Sequence, residues 1–195
     1  MPLLTEEQLR AVGFKSIGSN VKISDKASIY NAGNIRIGNN VRIDDFVVLS
    51  AGAEGIEIGS YIHIAVYSCL IGASRIELQD FANISSRVSI YSSSDDYSGE
   101  TMTNPMVPAE LKAVHHAPVH IGKHVIIGSG SVVLPGVSVQ EGAAVGALSL
   151  INKDCEAFFI YAGVPAKKIK PRSTHLLQLE ARMQQSQQAG TERSD

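Results

Sequence analysis

The chain has 195 residues, a formal net charge of −2, no Trp and only 6% aromatic residues. That length buries a sizeable core in one domain. The near-neutral charge, with no basic patch interleaved with aromatics, excludes a nucleic-acid partner, and no apolar run reaches the roughly 20 residues of a membrane helix.

The first predicted element is a short helix over about 5–12. Thr5 with Gln8 three residues on is a capping-box pattern, Leu4, Leu9 and Val12 line one face, and Gly13 ends it. Glu6, Glu7 and Arg10 interrupt this stretch with charge, so no signal peptide is expected. A cytoplasmic protein follows as the expectation. Cys69 and Cys155 have no metal-ligand spacing and read as buried thiols of a reducing compartment.

From Ile17 onward aliphatics recur every six residues: Ile17, Ile23, Ile29; Ile37, Ile43, Leu49; Ile58, Ile64, Leu70; Leu78, Ile84, Ile90. The run from Ile121 is unbroken through Ile127, Val133, Val139, Val145 and Ile151. The fourth residue after each is usually small or β-branched, as at Val125, Ser131, Val137, Ala143 and Ser149. Neither a helical period nor simple alternation gives six. A hexapeptide period predicts a β-helix whose units are one short strand and a turn, three to a triangular coil of about 18 residues. The register shifts after Ile29, Leu49, Leu70 and Ile90 each follow a third hexad, so they share one corner. The long loop at about 91–118 leaves from that corner and is where function is sought.

Pro171 closes the repeats. Ser173 or Thr174 caps a second predicted helix with Leu176, Leu177, Glu180 and Met183 at helical spacing. It reads as a lid on the open end of the coil, since bare strand edges invite aggregation. The polar stretch from about 184 to 195 reads as disordered. The division is thus a β-helix domain over 1–172 and a helix with a disordered tail over 173–195.

The stretch from Val119 to Val137, and the segment Ala162-Gly163-Val164-Pro165-Ala166-Lys167, resemble the hexapeptide-repeat acyltransferases. The resemblance covers about 17–172. It implies an all-β, left-handed parallel β-helix, assembly with itself as a homotrimer, and acetyl-CoA as cosubstrate running along the coil near that closing segment. It is similar to the sugar acetyltransferases of surface-polysaccharide, lipopolysaccharide and nucleotide-sugar pathways. The implied reaction moves an acetyl group to a hydroxyl or amino group of a small-molecule or glycan acceptor by direct attack, with no metal.

That reaction needs a base and donors for an oxyanion. In the galactoside branch a histidine follows the third hexad; here the segment reads Ile90-Tyr91-Ser92-Ser93-Ser94-Asp95-Asp96, with Asp95 at the matching position. Either another histidine has moved in or Asp95 itself serves. His63 is the first expectation: it points outward at a corner, where in a trimer it can face a neighbour's loop, with Asp95 or Asp96 orienting its ring. His115 and His116, near the end of the loop, are the alternatives. His124 fills the turn slot that Asn40 fills in Ile37-Gly38-Asn39-Asn40 and reads as structural, while His120 stands at the loop's return and His175 opens the terminal helix.

Turn amides at Gly128 to Ser131, or at Gly146 and Ala147, are candidate oxyanion donors; Gly128, Ser129, Gly146 and Ala147 are assigned to the cofactor. Lys153, Lys167, Lys168 and Arg172 are expected near its phosphates. Asn83 and Ser85 fall one coil above His63 and, with Tyr97 and Asn104 of the loop, are assigned to the acceptor. Met106 joins them at the pocket's edge. Two other classes stay open: a zinc hydratase of the γ-carbonic anhydrase type using His63, His115 and His120, and a non-catalytic β-helix scaffold.

Overall fold

The computed structural model describes residues 2–191, and side chains over 2–187. Its body is a left-handed parallel β-helix. Coil one holds β1 (Ser16–Ile17), β2 (Lys22–Ile23) and β3 (Ser28–Tyr30). Coil two holds β4 (Ile35–Ile37), β5 (Arg42–Ile43) and β6 (Val48–Ala51). Coil three holds β7 (Ile56–Ile58), β8 (His63–Ile64) and β9 (Cys69–Gly72), and coil four β10 (Ile76–Leu78), β11 (Asn83–Ile84) and β12 (Ser89–Tyr91). A hairpin of β13 (Ser93–Asp95) and β14 (Val114–His116) then projects from the body. Coil five holds β15 (Val119–Ile121), β16 (Ile126–Ile127) and β17 (Val132–Val133); coil six holds β18 (Ser138–Val139), β19 (Ala144–Val145) and β20 (Leu150–Ile151).

Corresponding strands stack into three parallel sheets. Face one is β1-β4-β7-β10-β15-β18, and face three is β3-β6-β9-β12-β17-β20. Face two runs β2-β5-β8-β11-β16-β19 and ends in an antiparallel hairpin of β21 (Phe159–Ala162) and β22 (Lys167–Pro171). The closing segment Ala162–Lys167 is the turn of that hairpin, where parallel winding stops.

The six-residue ribs point inward. Ile43, Ile64, Ile84 and Ile127 lie one above another on face two, each fully buried. The register shifts have a physical role that the period alone conceals. They lengthen the face-one strands so that a second residue turns inward: Ile35, Ile56, Ile76 and Val119 form an additional buried column. Buried serines at the corner between faces two and three are satisfied within it: Ser68 Oγ donates to Ser85 O, and Ser149 Oγ to Gly146 O.

Each corner turns through a residue with positive φ. Between faces one and two these are Asn20, Asn40, Tyr61, Phe81 and His124; between faces two and three they are Phe46, Tyr67, Arg87, Gly130 and Leu148. Asn suits that conformation, whereas an aromatic there costs about 1 kcal/mol or more. The corner between faces three and one has Gly72, where an added Cβ would collide with Ser92 at the hairpin's base.

The ends differ from expectation in two respects. Helix α1 (Glu6–Val12) has its capping box at Thr5 and Gln8 and buries Leu9 against the first coil. Helix α2 (His175–Thr191) does not cover the far end of the coil; the β21–β22 hairpin extends that end. Instead α2 lies along the corner between faces one and two, pinned at Glu180 by His124 and Lys123 and at Gln187 by Tyr61. The lid reading fails because these corner side chains hold the helix down the flank. The stretch 184–191 is helical rather than disordered; 192–195 lie outside the described residues. Among the described residues no helix is long and apolar enough to cross a membrane.

Candidate active site

Six histidines were candidates for the base or were weighed against it, and their surroundings separate them. His63 stands on the outer side of β8, between Arg42 and Asn83 in the ladder. Its Nε2 lies 2.8 Å from Asp44 Oδ2, and its side chain is 42% exposed. Burial pushes the Asp44 carboxyl up, but hydrogen bonds and charge from Arg42 and His63 outweigh it and leave its pKa below the ordinary value. His63 is therefore oriented by Asp44, one coil below. The expected pairing with Asp95 or Asp96 does not form within the chain, because β8 is on face two and those aspartates leave from face three. Asp44 carries no motif that singles it out; its place diagonal to His63, two residues past Arg42, follows only from the stacking of β5 on β8.

His116 Nδ1 lies 2.8 Å from Ser93 Oγ across the base of the hairpin. His120 Nδ1 is 3.0 Å from Glu77 on face one. His124 stacks on Phe81 with centroids 4.9 Å apart and reaches Glu180 at 2.7 Å, so its role is structural. His175 opens α2 and is exposed. His115 is exposed, opposite Ser94 in the hairpin, and has no hydrogen bond or ion pair among the described residues.

The two aspartates of the loop also part ways. Asp96 accepts from the Ser98 amide and from the amide and hydroxyl of Thr101. The Ser98 hydroxyl and amide, with the Thr101 hydroxyl and amide, hold its carboxyl down to about 2, and these bonds make it the organiser of the loop rather than an orienting partner for a histidine. The Asp95 carboxylate has no such partner among the described residues. It lines, with Tyr97, Thr101 and His115, a cleft of about 410 Å³ on the hairpin. Tyr97 is 93% exposed there. Asn104 takes a positive φ and its side chain accepts from the Met106 amide, so it shapes a turn instead of meeting an acceptor.

The corner between faces two and three supplies amide donors, though not at every expected residue. The Gly128 and Gly146 amides are taken by Val145 O and Tyr161 O of the next coils. Among the described residues the Ser86, Ser129 and Ala147 amides donate to no protein acceptor. They form a row of outward N–H groups up three successive coils, the kind of preorganised donor set that stabilises an oxyanion or holds a chain of carbonyls. Ser85 stands at the foot of this row, and Asn83 precedes it on β11.

The cation set changes as well. Lys153 and Lys167 are exposed and unpaired among the described residues. Lys168 is drawn to Glu156 at 2.7 Å and lies 3.5 Å over the Phe159 ring. Arg172 donates to the carbonyls of His124, Gly142 and Ala143, and burial lowers its pKa. Arg172 clamps the end of the coil and is not available to a phosphate.

Cys155 is buried, and burial pushes its thiol up to about 11, which removes it as a nucleophile. His63, His115 and His120 occupy three separate surfaces, and among the described residues no three His, Cys, Asp or Glu side chains gather to hold a metal.

A coil of stacked hexads with a projecting hairpin and a row of free corner amides defines a class: the hexapeptide-repeat sugar acyltransferases, and this chain belongs to it. The chain is 61% identical over 181 residues to dTDP-4-amino-4,6-dideoxy-D-glucose acyltransferase of Escherichia coli, covering 93% of this chain and 94% of that one. It is 47% identical to AntD, an N-acyltransferase from Bacillus cereus solved in complex with dTDP and 3-hydroxybutyryl-CoA; the match covers 96% of this chain and all of AntD, at a TM-score of 0.92. Other AntD structures with Coenzyme A carry substitutions at a serine and at an aspartate ten positions further on. The acetyltransferase domain of PglB from Neisseria gonorrhoeae, 19% identical at a TM-score of 0.58, shares the fold. No family model matches the chain. The scaffold and hydratase alternatives fall: the chain is an acyltransferase.

Proposed function

We propose that this enzyme transfers an acetyl group from acetyl-CoA to the amino group of a dTDP-linked 4-amino-4,6-dideoxy sugar. The observation that carries this reading is the 61% identity, along nearly the full length of both chains, to the E. coli dTDP-4-amino-4,6-dideoxy-D-glucose acyltransferase. An amine acceptor also accounts for a carboxylate where the galactoside branch has histidine. A hydroxyl must lose its proton as it attacks, which favours an imidazole base. An amine attacks through its own lone pair once neutral, and a carboxylate suffices to hold it and take up the surplus proton.

Asp95 is that carboxylate, and Ser85 joins it in receiving the acceptor. Their ten-residue spacing equals that of the substituted serine and aspartate in AntD. The amine nitrogen bonds to the thioester carbon, the C–S bond breaks, and coenzyme A leaves as a thiolate that is then protonated. The nitrogen's proton passes to Asp95. The Ser129 and Ala147 amides donate to the carbonyl oxygen as charge gathers on it. Lys153 and Lys167 hold the phosphates at the nucleotide end of coenzyme A.

Asp95 leaves from the corner between faces three and one, whereas the free amides line the corner between faces two and three, so the two sets stand apart within one chain and a neighbouring copy would bring them together. This supports a homotrimer closed through face three, whose outer row of Ser28, Val48, Cys69, Ser89, Val132 and Leu150 carries no charged side chain. A sedimentation velocity run that gave a monomer would remove the trimer. Both substrates are soluble nucleotides, which fits a cytoplasmic enzyme.

The test uses acetyl-CoA and dTDP-4-amino-4,6-dideoxyglucose, with release of free thiol and product mass as readouts. Asp95→Asn is expected to lower kcat by about 10²-fold or more, the range for a lost proton acceptor. His63→Gln is expected to leave kcat nearly unchanged. The reverse pattern would return the base to the His63–Asp44 pair. Thiol release with a sugar hydroxyl but not with the amine would overturn the acceptor.

A further inference from the structure

The strand that carries Asp95 belongs to a sheet of only two strands, outside the three faces of the coil. β13 and β14 pair antiparallel over three positions: Ser93 with His116, Ser94 with His115, and Asp95 with Val114. The residues between the strands, 96–113, form the rest of the loop. A hairpin of two strands is marginal in water on its own. Side chains also alternate along a strand, so a slip of one residue in the pairing would turn Asp95 to the other side of the hairpin. Both the register and the attachment to the coil therefore need a fastening.

Ser93 supplies it. Its Oγ accepts from the Ala73 amide at 2.8 Å, which ties the hairpin to the corner turn one coil below. The same Oγ lies 2.8 Å from His116 Nδ1 on the return strand. The order that uses every donor runs from the Ala73 N–H to the Ser93 hydroxyl and from that hydroxyl to Nδ1, with the ring hydrogen on Nε2. The corner beneath is itself braced. Ser92 Oγ donates to Ser74 O at 2.6 Å, and Glu54 Oε2 accepts from Ser74 Oγ at 2.7 Å and from the Arg75 amide at 3.1 Å. Ser74 and Ser92 are both buried. The Ala117 amide, next after β14, donates to Ser92 O.

Cross-strand partners and alternate residues share a side of a hairpin, so Ser93, His116, Asp95 and Val114 lie on one side. The Ser93–His116 bond is exposed. Water replaces such a bond in the unfolded chain, and it adds little to global stability. What it controls is local: the register that decides which way the carboxylate two residues on is turned.

We infer that His116 is a positioning residue for Asp95, fixing the hairpin register through Ser93 and so aiming the carboxylate at the acceptor amine. The inference rests on the reading of Asp95 given above.

The test is a double-mutant cycle with acetyl-CoA and dTDP-4-amino-4,6-dideoxyglucose, with urea unfolding of each variant. His116→Phe keeps a ring and removes the acceptor, whereas His116→Asn keeps an acceptor near the place of Nδ1. His116→Phe is expected to lower kcat about tenfold, as a small misplacement of a reacting group does. The KM for acetyl-CoA and the urea midpoint should hold, His116→Asn should recover most of the loss, and Ser93→Ala should reproduce it. In the Asp95→Asn background His116→Phe should cost nothing further, since the two act as one unit. If Asp95→Asn alone leaves kcat unchanged, the reading of Asp95 fails and the inference with it. If Asp95→Asn slows the enzyme while His116→Phe does not, or if the two losses multiply, only the positioning role is overturned. An equal loss in His116→Asn and His116→Phe would make His116 a base in its own right. A fall of the urea midpoint alongside kcat would make the bond purely structural, and either result overturns the inference.

Discussion

Four cations near the end of the coil look alike in the sequence, yet their surroundings assign them different work. Lys167 stands free at the start of β22. Arg172 donates to three carbonyls at the close of the coil, and those of His124 and Gly142 accept from no other group among the described residues. Replacing Lys167 by Ala would remove one proposed phosphate contact, so the KM for acetyl-CoA is expected to rise about fivefold, the equivalent of roughly 1 kcal/mol, while kcat stays put. Arg172→Ala has the opposite signature. It leaves partly buried carbonyls unpaired and lowers unfolding stability by about 2 kcal/mol, with the KM for acetyl-CoA unchanged in the protein that remains folded. Steady-state kinetics beside urea unfolding reads both, and a KM effect from Arg172 alone would reverse the assignment.

Among the elements, α2 is held by polar bonds rather than by a broad apolar stripe. Glu180 accepts from Lys123 Nζ at 2.6 Å and from His124 Nε2 at 2.7 Å. Burial raises the pKa of that carboxyl, but the two bonds and the two charges bring it below the ordinary 4.5. A folded pKa lower than the unfolded one contributes stability above the unfolded value and loses it as pH falls through the folded one. Glu180→Gln is therefore expected to destabilise the protein by about 2 kcal/mol at neutral pH, as a lost charge-assisted pair. The difference from the unaltered protein should shrink below pH 4.5 and disappear near the folded pKa. Urea titrations across that range check it; a difference that grew on acidification would remove the pair from α2's docking. The existence of this helix is legible in Leu176, Leu177 and Met183, but its resting place is not. That place depends on Tyr61, Phe81 and His124 meeting at one corner from three coils. The same holds at the site. Asp95 announces itself by standing where a histidine is expected, whereas the meeting of Asp44 with His63 arises from stacking across about 20 residues of chain. One signal was available: of five Phe and six Tyr, five occupy positive-φ turn slots that Asn fills elsewhere.

At the scale of the whole molecule, each coil touches only the coils above and below it, so stability propagates as a chain of nearest-neighbour interfaces. The proposed site runs from Ser85 on coil four past Ser129 on coil five to Ala147 on coil six, and therefore works only while the coils stay stacked. Ile84 lies on coil four, inside that stack. It is fully buried, between Ile64 below and Ile127 above. Truncation to Ala leaves a cavity touching two interfaces at once, and β-sheet pairing on both sides keeps the backbone from collapsing into it. The expected cost is about 2–5 kcal/mol, against about 0.5–1.5 kcal/mol for Ile84→Val. The same truncation at the partly exposed Ile29 of the first coil should cost less, because only one coil packs on it. Equilibrium urea unfolding of the three variants measures the order. If Ile29→Ala matched Ile84→Ala, the loss would belong to the individual side chain, and the account of this enzyme as a stack of mutually supporting coils would have to be given up.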